Sequence, residues 1–281
     1  MTGYRVKNWL SVLLNNAILV VISLYFILPM IWMWVSAFRL NPTYKVEFKD
    51  FTLENFIVLF FEKQTLTWIR NSLIIALATP AIVTLLAILA AYPMARLEFR
   101  GKGLLQALMI LSMSIPLSAV LVPTYSLIRA LGLENSLEGV ILVLAGRQMP
   151  IAIWVLTEFV RSLPRELEEA AWIDGCGKLE TILRVVLPLS LPGIAVVFMT
   201  SFVNAWGDFL TPLIVITSDE LKPISMGLYD ACLQSRAYGY TLINYGLLSA
   251  ISIVYMMVPA IVYLVLGKYM VKGMVIGAVK G

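Results

Sequence analysis

The chain has 281 residues, is 60% hydrophobic and only 14% charged, and its mean hydropathy is +0.88. Soluble domains carry about 25% charged residues, so this composition excludes a water-soluble globular protein and indicates a polytopic membrane protein, all-α in class. The net charge of +4 is small and scattered, which argues against nucleic acid as a partner, and a chain with no histidine and two separated cysteines, Cys176 and Cys232, is expected to hold no metal.

Residues 1–16 read as a short head carrying Arg5 and Lys7, and the apolar run 17–38 is long enough to cross a hydrocarbon core, with a kink expected at Pro29. Residues 39–70 are polar and mixed in charge; within them 56–61 is apolar but too short to cross, and reads as an interfacial helix. Further spans are expected at about 73–92, 104–128, 139–160, 193–216 and 245–266, making six, with a tail over 267–281. Pro116 and Pro123 are expected to bend the third, where Ser112, Ser114 and Ser118 can satisfy freed backbone groups. An even number of spans puts both termini on one face. That face carries Arg5, Lys7, Arg96, Arg100, Lys102, Arg161, Arg165, Lys178, Arg184, Lys268, Lys272 and Lys280 in short segments; the other carries Arg39, Lys45, Lys49, Lys63, Arg70, Arg129, Lys222 and Arg236. The first face is therefore expected to be cytoplasmic.

The longest polar interruption on that face is 161–192. Pro164 suits the first turn of a helix, and Glu166, Glu168 and Glu169 follow where the helix dipole favours negative charge. Leu167, Ala170 and Ala171 recur at i, i+3, i+4 as one small apolar face, and Gly175 reads as the helix stop. A second short helix is expected from Gly177 to Leu187, ended by Pro188. Two helices joined at a glycine make a compact knob, suited to docking rather than catalysis.

Glu169-Ala170-Ala171, three residues, Gly175, nine residues, then Val185-Val186-Leu187-Pro188 resembles the EAA loop of ABC importer permeases, with Val185 where the family usually has Ile. Pro164, Glu168-Glu169 and Asp174-Gly175 are similar to the carbohydrate-importing, maltose-permease-like branch, as is Leu131 to Ser136 after the third span. The resemblance implies a type I ABC importer transmembrane domain in a bacterial cytoplasmic (inner) membrane. It also implies a second permease subunit, two ABC ATPase subunits, an extracytoplasmic solute-binding protein and a sugar substrate. ATP, with Mg, would be hydrolysed by the partner subunits, because this chain has no GxxxxGK[ST] phosphate loop; it is expected to bind no cofactor of its own and to carry no catalytic residue. Glu168, Glu169, Ala170, Ala171, Asp174 and Gly175 are the residues expected to couple to the ATPase.

Within the spans, Ser201, Asn204, Asp208 and Thr211 recur at i, i+3, i+7, i+10, one narrow stripe if the helix is continuous. Polar groups at bilayer depth face a bundle interior or a watery path, so the stripe reads either as a wall of the translocation pathway or as contact between helices. Asn204 to Phe209 is also similar to the family's W-x-[ED]-F stretch, with Gly207 where Asn is commoner. Arg147, beside Gln148 in the fourth span, is the other costly group. It reads either as half of an ion pair, with Asp208 a candidate partner, or as a cavity cation that would favour an anionic sugar. The tail resembles those of maltose-branch permeases, which implies that Gly277 and Lys280 approach the ATPase subunits. The rival reading is an ion-coupled secondary transporter or channel, for which Asp208 is the only thin coupling-site candidate and which gives no reason for the knob.

Overall fold

The structure, a computed structural model, describes the backbone of residues 2–43, 45–232, 235–237, 240–242 and 244–278, and side chains except at 1–11, 44, 62, 231–243 and 268–281. The chain divides into two compact units, residues 1–64 with 228–256, and residues 65–227 with 257–281.

In the first unit, α1 runs Thr2–Ala37 and its apolar stretch is not buried, as expected of a helix that faces lipid or another protein. Pro29 lies inside it. The polar connection beyond α1 folds back on itself. Asn55 is buried and donates to the carbonyls of Ala37 and Arg39 at 3.0 and 2.8 Å, so it satisfies the end of α1. Arg39 is buried as well and pairs with Glu47 at 3.0 Å. The short interfacial segment is helical, α2 over Glu54–Ile57 continued by a wider turn over Val58–Glu62, and Thr52 Oγ1 accepts from Glu54 N at its start. A two-stranded ribbon pairs Ser235–Ala237 with Tyr240–Leu242.

The second unit is built on α3, Thr65–Arg96, and α6, Leu137–Ser162. Val83, Ala87, Ala91 and Ala95 of α3 fall four residues apart on its buried face, opposite Ala152, Leu156 and Val160 of α6. Small residues at that spacing let two backbones approach, which is what drives helix packing where lipid offers no hydrophobic gain. α10, Leu191–Gly207, closes against both, and there a Cβ on Gly193 would stand 2.6 Å from the Phe159 ring, so only glycine suits that crossing. The leucines at 77, 85, 86 and 89 point outward.

Four described helices are long and apolar enough to cross a membrane, and up to six spans result if each of two bent pairs is one span. These pairs correct the sequence reading. The third expected span is α4, Lys102–Met113, and α5, Leu117–Ala130, bent by 104°. Pro116 causes the break, because the residue before a proline disfavours helical geometry; Pro123 stays inside α5. Ser112 and Ser114 hydroxyls donate to the carbonyls of Met109 and Ile110 near the break. The other pair, Lys178–Leu189 with Leu191–Gly207, bends by 72° at Ser190. The second expected span starts earlier than residue 73, and Asn71 and Ser72 lie inside α3. Asn71 Nδ2 donates to the carbonyls of Glu220 and Lys222, and Ser72 Oγ accepts from Ile224 N at 2.7 Å, which pins the 220–224 loop.

Beyond Gly207 come α11, Leu210–Val215, and α12, Ile224–Cys232. The last helix, α13, runs Tyr245–Ala278, so the expected sixth span and the tail through Ala278 form one helix. Gly277 lies in its last turn, and Lys280 lies outside the described residues.

Candidate functional site

Two places concentrate the predicted residues, and both lie in the second unit. The first is the knob. α7 runs Glu166–Ile173 with three glutamates in its first turn. It stops as glycine chemistry dictates: Gly175 has φ +90, Cys176 N donates to Ala171 O at 2.9 Å and Gly175 N to Trp172 O at 3.1 Å. These are the two paired bonds of a left-handed helix stop, and they satisfy carbonyls that would otherwise be orphaned. The second helix differs from the sequence reading. α8, Lys178–Thr181, continues through a wide turn, Ile182–Val186, into α9, Leu187–Leu189. Pro188 does not end it, because a proline in the first turn of α9 has no helical N–H to lose.

The buried face of α7 also differs. Leu167 and Ala170 point out, and Glu168 and Ala171 point in. Glu168 is the reason. Its Oε1 accepts from Arg96 Nε at 2.7 Å and its Oε2 from the Tyr92 hydroxyl at 2.9 Å. Arg96 Nη2 also donates to Leu163 O at 2.9 Å, closing the end of α6. Both side chains of the ion pair are under a tenth exposed. A buried carboxylate is tolerated only when paired and hydrogen-bonded, and here both oxygens are, so α7 turns this edge toward the end of α3. A cavity of about 210 Å3 opens beside the pair, with Arg165, Glu169, Trp172 and Lys178 on its rim. Glu169, Ala170, Asp174 and Gly175 remain exposed, and around them Leu167, Trp172, Ile173, Leu179 and Leu183 form an uncovered apolar surface. Such patches mark contact sites. Nearby in the α3–α4 turn, Lys102 hydrogen-bonds Glu98 and holds its carboxyl below the usual range.

The second place is the polar cluster of α6 and α10. The expected stripe is interrupted, because α10 ends at Gly207 and Asp208 is extended, with φ −70 and ψ 125. Asp208 Oδ1 accepts from Thr211 N at 2.8 Å and so caps the restart of the helix, while Oδ2 meets Arg147 Nη2 at 2.5 Å. The Asp208 carbonyl accepts from the Ser225 hydroxyl at 2.9 Å. Arg147 therefore pairs with Asp208 rather than standing alone, and Glu158, also near its stripe, pairs with Arg161. Gln148, Ser201 and Asn204 line a cavity of about 140 Å3 between α6 and α10; Thr211 is buried on α11, outside that lining. Asn135, at φ +50, accepts from Thr217 N, Ser218 N and the Ser218 hydroxyl. The sequence carried no sign of those contacts beyond Asn itself, a residue that tolerates this backbone geometry.

Residues 83–276 match the family described as binding-protein-dependent transport system inner membrane component. A trehalose/maltose transport system permease protein of Thermococcus litoralis is 31% identical over 96% of this chain and 96% of its own. A sulfoquinovosyl glycerol transport system permease protein of Agrobacterium fabrum is 33% identical over 82% of this chain and 79% of its own. Among solved structures, a bacterial ABC transporter involved in the import of the acidic polysaccharide alginate has a similar fold, with a TM-score of 0.80 at 18% identity over 96% of this chain and 98% of that one. The matched span includes the knob, the α6 cluster and the broken helix at Asp208, and with it the chain belongs to the binding-protein-dependent transport inner membrane components, multi-pass permease subunits of ABC importers that leave ATP hydrolysis to a separate subunit.

Proposed function

We propose that this chain is one of two permease subunits in an ATP-driven importer of a sugar or oligosaccharide, with two ATPase subunits, one of them seated on this chain's knob, and a solute-binding protein delivering cargo from the other side of the membrane. The observation that carries this reading is the knob itself: pinned inward through Glu168 and Arg96, and presenting an uncovered apolar surface outward. Relatives named for sugar transport support the choice of cargo. The excess of basic residues on that face supports a cytoplasmic position for both termini.

The roles of the knob residues divide. Glu169, Ala170, Asp174 and Gly175 are exposed and meet the ATPase; Glu168 and Ala171 face the chain's own helices and carry the movement inward. ATP closes the ATPase pair, the knob moves with it, and the Arg96 link delivers that motion to α3 and thence to α6. Arg147, Gln148, Ser201, Asn204, Asp208 and Thr211 then belong to or brace the translocation path. Gly277 and Lys280 approach the ATPase subunits from the tail, and deleting Gly273 to Gly281 is expected to reduce transport-coupled ATP hydrolysis while membrane insertion persists.

Proteoliposomes holding the complete complex test the reading against an ion-coupled carrier. Uptake is expected to require ATP on the ATPase side and to survive an uncoupler. Uptake abolished by the uncoupler with ATP present would overturn it.

A further inference from the structure

The cavity of about 210 Å3 beside the Glu168–Arg96 pair holds more positive charge than its own chain neutralises. Arg96 gives Nε to Glu168 and Nη2 to Leu163 O, while its Nη1 keeps no partner among the described residues. Arg165 and Lys178, also in the lining, form no ion pair and no side-chain hydrogen bond among the described residues. Glu98, a carboxylate that feels Arg165, is already bonded by Lys102 at 2.9 Å. Within the lining, Glu168 cancels Arg96, and Glu169 offsets only one of the two remaining cations. One positive charge is left over, beside a buried ion pair.

We propose that this cavity is a headgroup site for an anionic phospholipid of the inner leaflet, its phosphodiester held among Arg96, Arg165 and Lys178. The proposal rests on the cytoplasmic placement of the knob and goes beyond it. The depth suits a headgroup. α3 has 32 residues, so at 1.5 Å per residue it is about 48 Å long. A bilayer with its headgroups measures about 40–45 Å, so a helix of this length that crosses it sets its last turn among headgroups. Tyr92, Arg96 and Leu97 lie at that end of α3. Trp172 and Leu97 line the cavity and are nearly half exposed, an apolar edge at the level where such side chains meet acyl chains.

The charge left over selects the lipid. One phosphodiester brings one negative charge and neutralises the recess. A zwitterionic headgroup brings a cation of its own and leaves that charge uncompensated. Basic pockets between helices on the cytoplasmic side recognise anionic headgroups for this reason. The volume exceeds the about 150 Å3 that holds a benzene, which leaves room for a phosphate with a glyceryl unit. The ATPase has a different face to sit on. Arg165, Glu168, Glu169 and Trp172 recur at i, i+3, i+4, i+7 along one side of α7, whereas Ala170, Ile173 and Asp174 fall on the other, with Glu169 at the border.

The test uses the complete complex in phosphatidylcholine nanodiscs, with phosphatidylglycerol carrying a photoreactive headgroup as a minor component. Cross-linked peptides are located by mass spectrometry. Label is expected within residues 92–97 or 165–178. Excess unlabelled phosphatidylglycerol is expected to suppress it at least about tenfold, and excess phosphatidylethanolamine or soluble inorganic phosphate to leave it in place. Arg165→Gln with Lys178→Gln removes two charge-assisted contacts; this double variant is expected to label at least about tenfold less and still to co-purify with its ATPase. Arg165→Lys with Lys178→Arg, which preserves both charges, is expected to keep most of the label. The site is overturned if phosphatidylethanolamine or inorganic phosphate competes as well as phosphatidylglycerol, or if the glutamine variant labels like the parent. It is overturned too if that variant loses its ATPase, which would give the recess to the ATPase instead. A parent complex that holds no ATPase would sink the reading of the knob; a complex that holds its ATPase and takes no label here sinks the headgroup site alone.

Discussion

Arg96→Ala is expected to cut coupled uptake at least about tenfold while the protein still inserts and its subunits still co-purify. Removing one partner of a buried ion pair costs about 3–5 kcal/mol, because the other charge stays buried and uncompensated. Here the stranded group is Glu168, with only the Tyr92 hydroxyl left to it, and the carbonyl of Leu163 also loses its donor. The knob then loses its grip on α3 but keeps its outer surface, so ATPase subunits can still bind. ATP hydrolysis is expected to continue without stimulation by loaded binding protein. Restoring the pair in reverse, with Arg96→Glu and Glu168→Arg together, is expected to recover a fraction of the uptake. Full uptake by Arg96→Ala, or no gain from the reversed pair over either single change, would show that motion passes elsewhere.

The second large effect is at Gly175. Its φ of +90 is one that residues with a Cβ adopt at a cost of about 1–2 kcal/mol. Among the described residues, no atom beyond its two chain neighbours lies within 4 Å of where that Cβ would stand. Gly175→Ala therefore carries the backbone strain alone, while Gly175→Trp carries the same strain and projects bulk into the space outside. The alanine variant is expected to hold most of its ATPase through co-purification, and the tryptophan variant to retain less than about a tenth. Equal retention by the two would mean that nothing docks over this corner.

Much of this architecture is legible along the chain, for reasons that differ from element to element. The stop of α7 could be read because a glycine after a short periodic run has a local job that local sequence reveals. The direction Glu168 faces could not, because its partners Arg96 and Tyr92 lie 72 and 76 residues away in the chain. Helix-dipole reasoning put three glutamates in one class, and tertiary pairing took one of them out. Asp208 failed in the opposite way. Its spacing suits a continuous stripe, so periodicity predicted one helix; but its carboxylate takes Thr211 N, and a side chain that caps a new helix interrupts the old one. The break near Pro116 was expected as a bend and is far sharper, at 104°. The lack of bonding at Gln148 lay beyond sequence reasoning altogether, since it depends on what α10 fails to offer across the gap.

The knot at Asp208 has a kinematic corollary. One residue fastens α6 through a guanidinium, the first turn of α11 through a backbone N–H, and the opening of α12 through a serine hydroxyl. Three segments thus meet at a single residue, each on a different oxygen. Displacing this one residue therefore loosens all three segments at once.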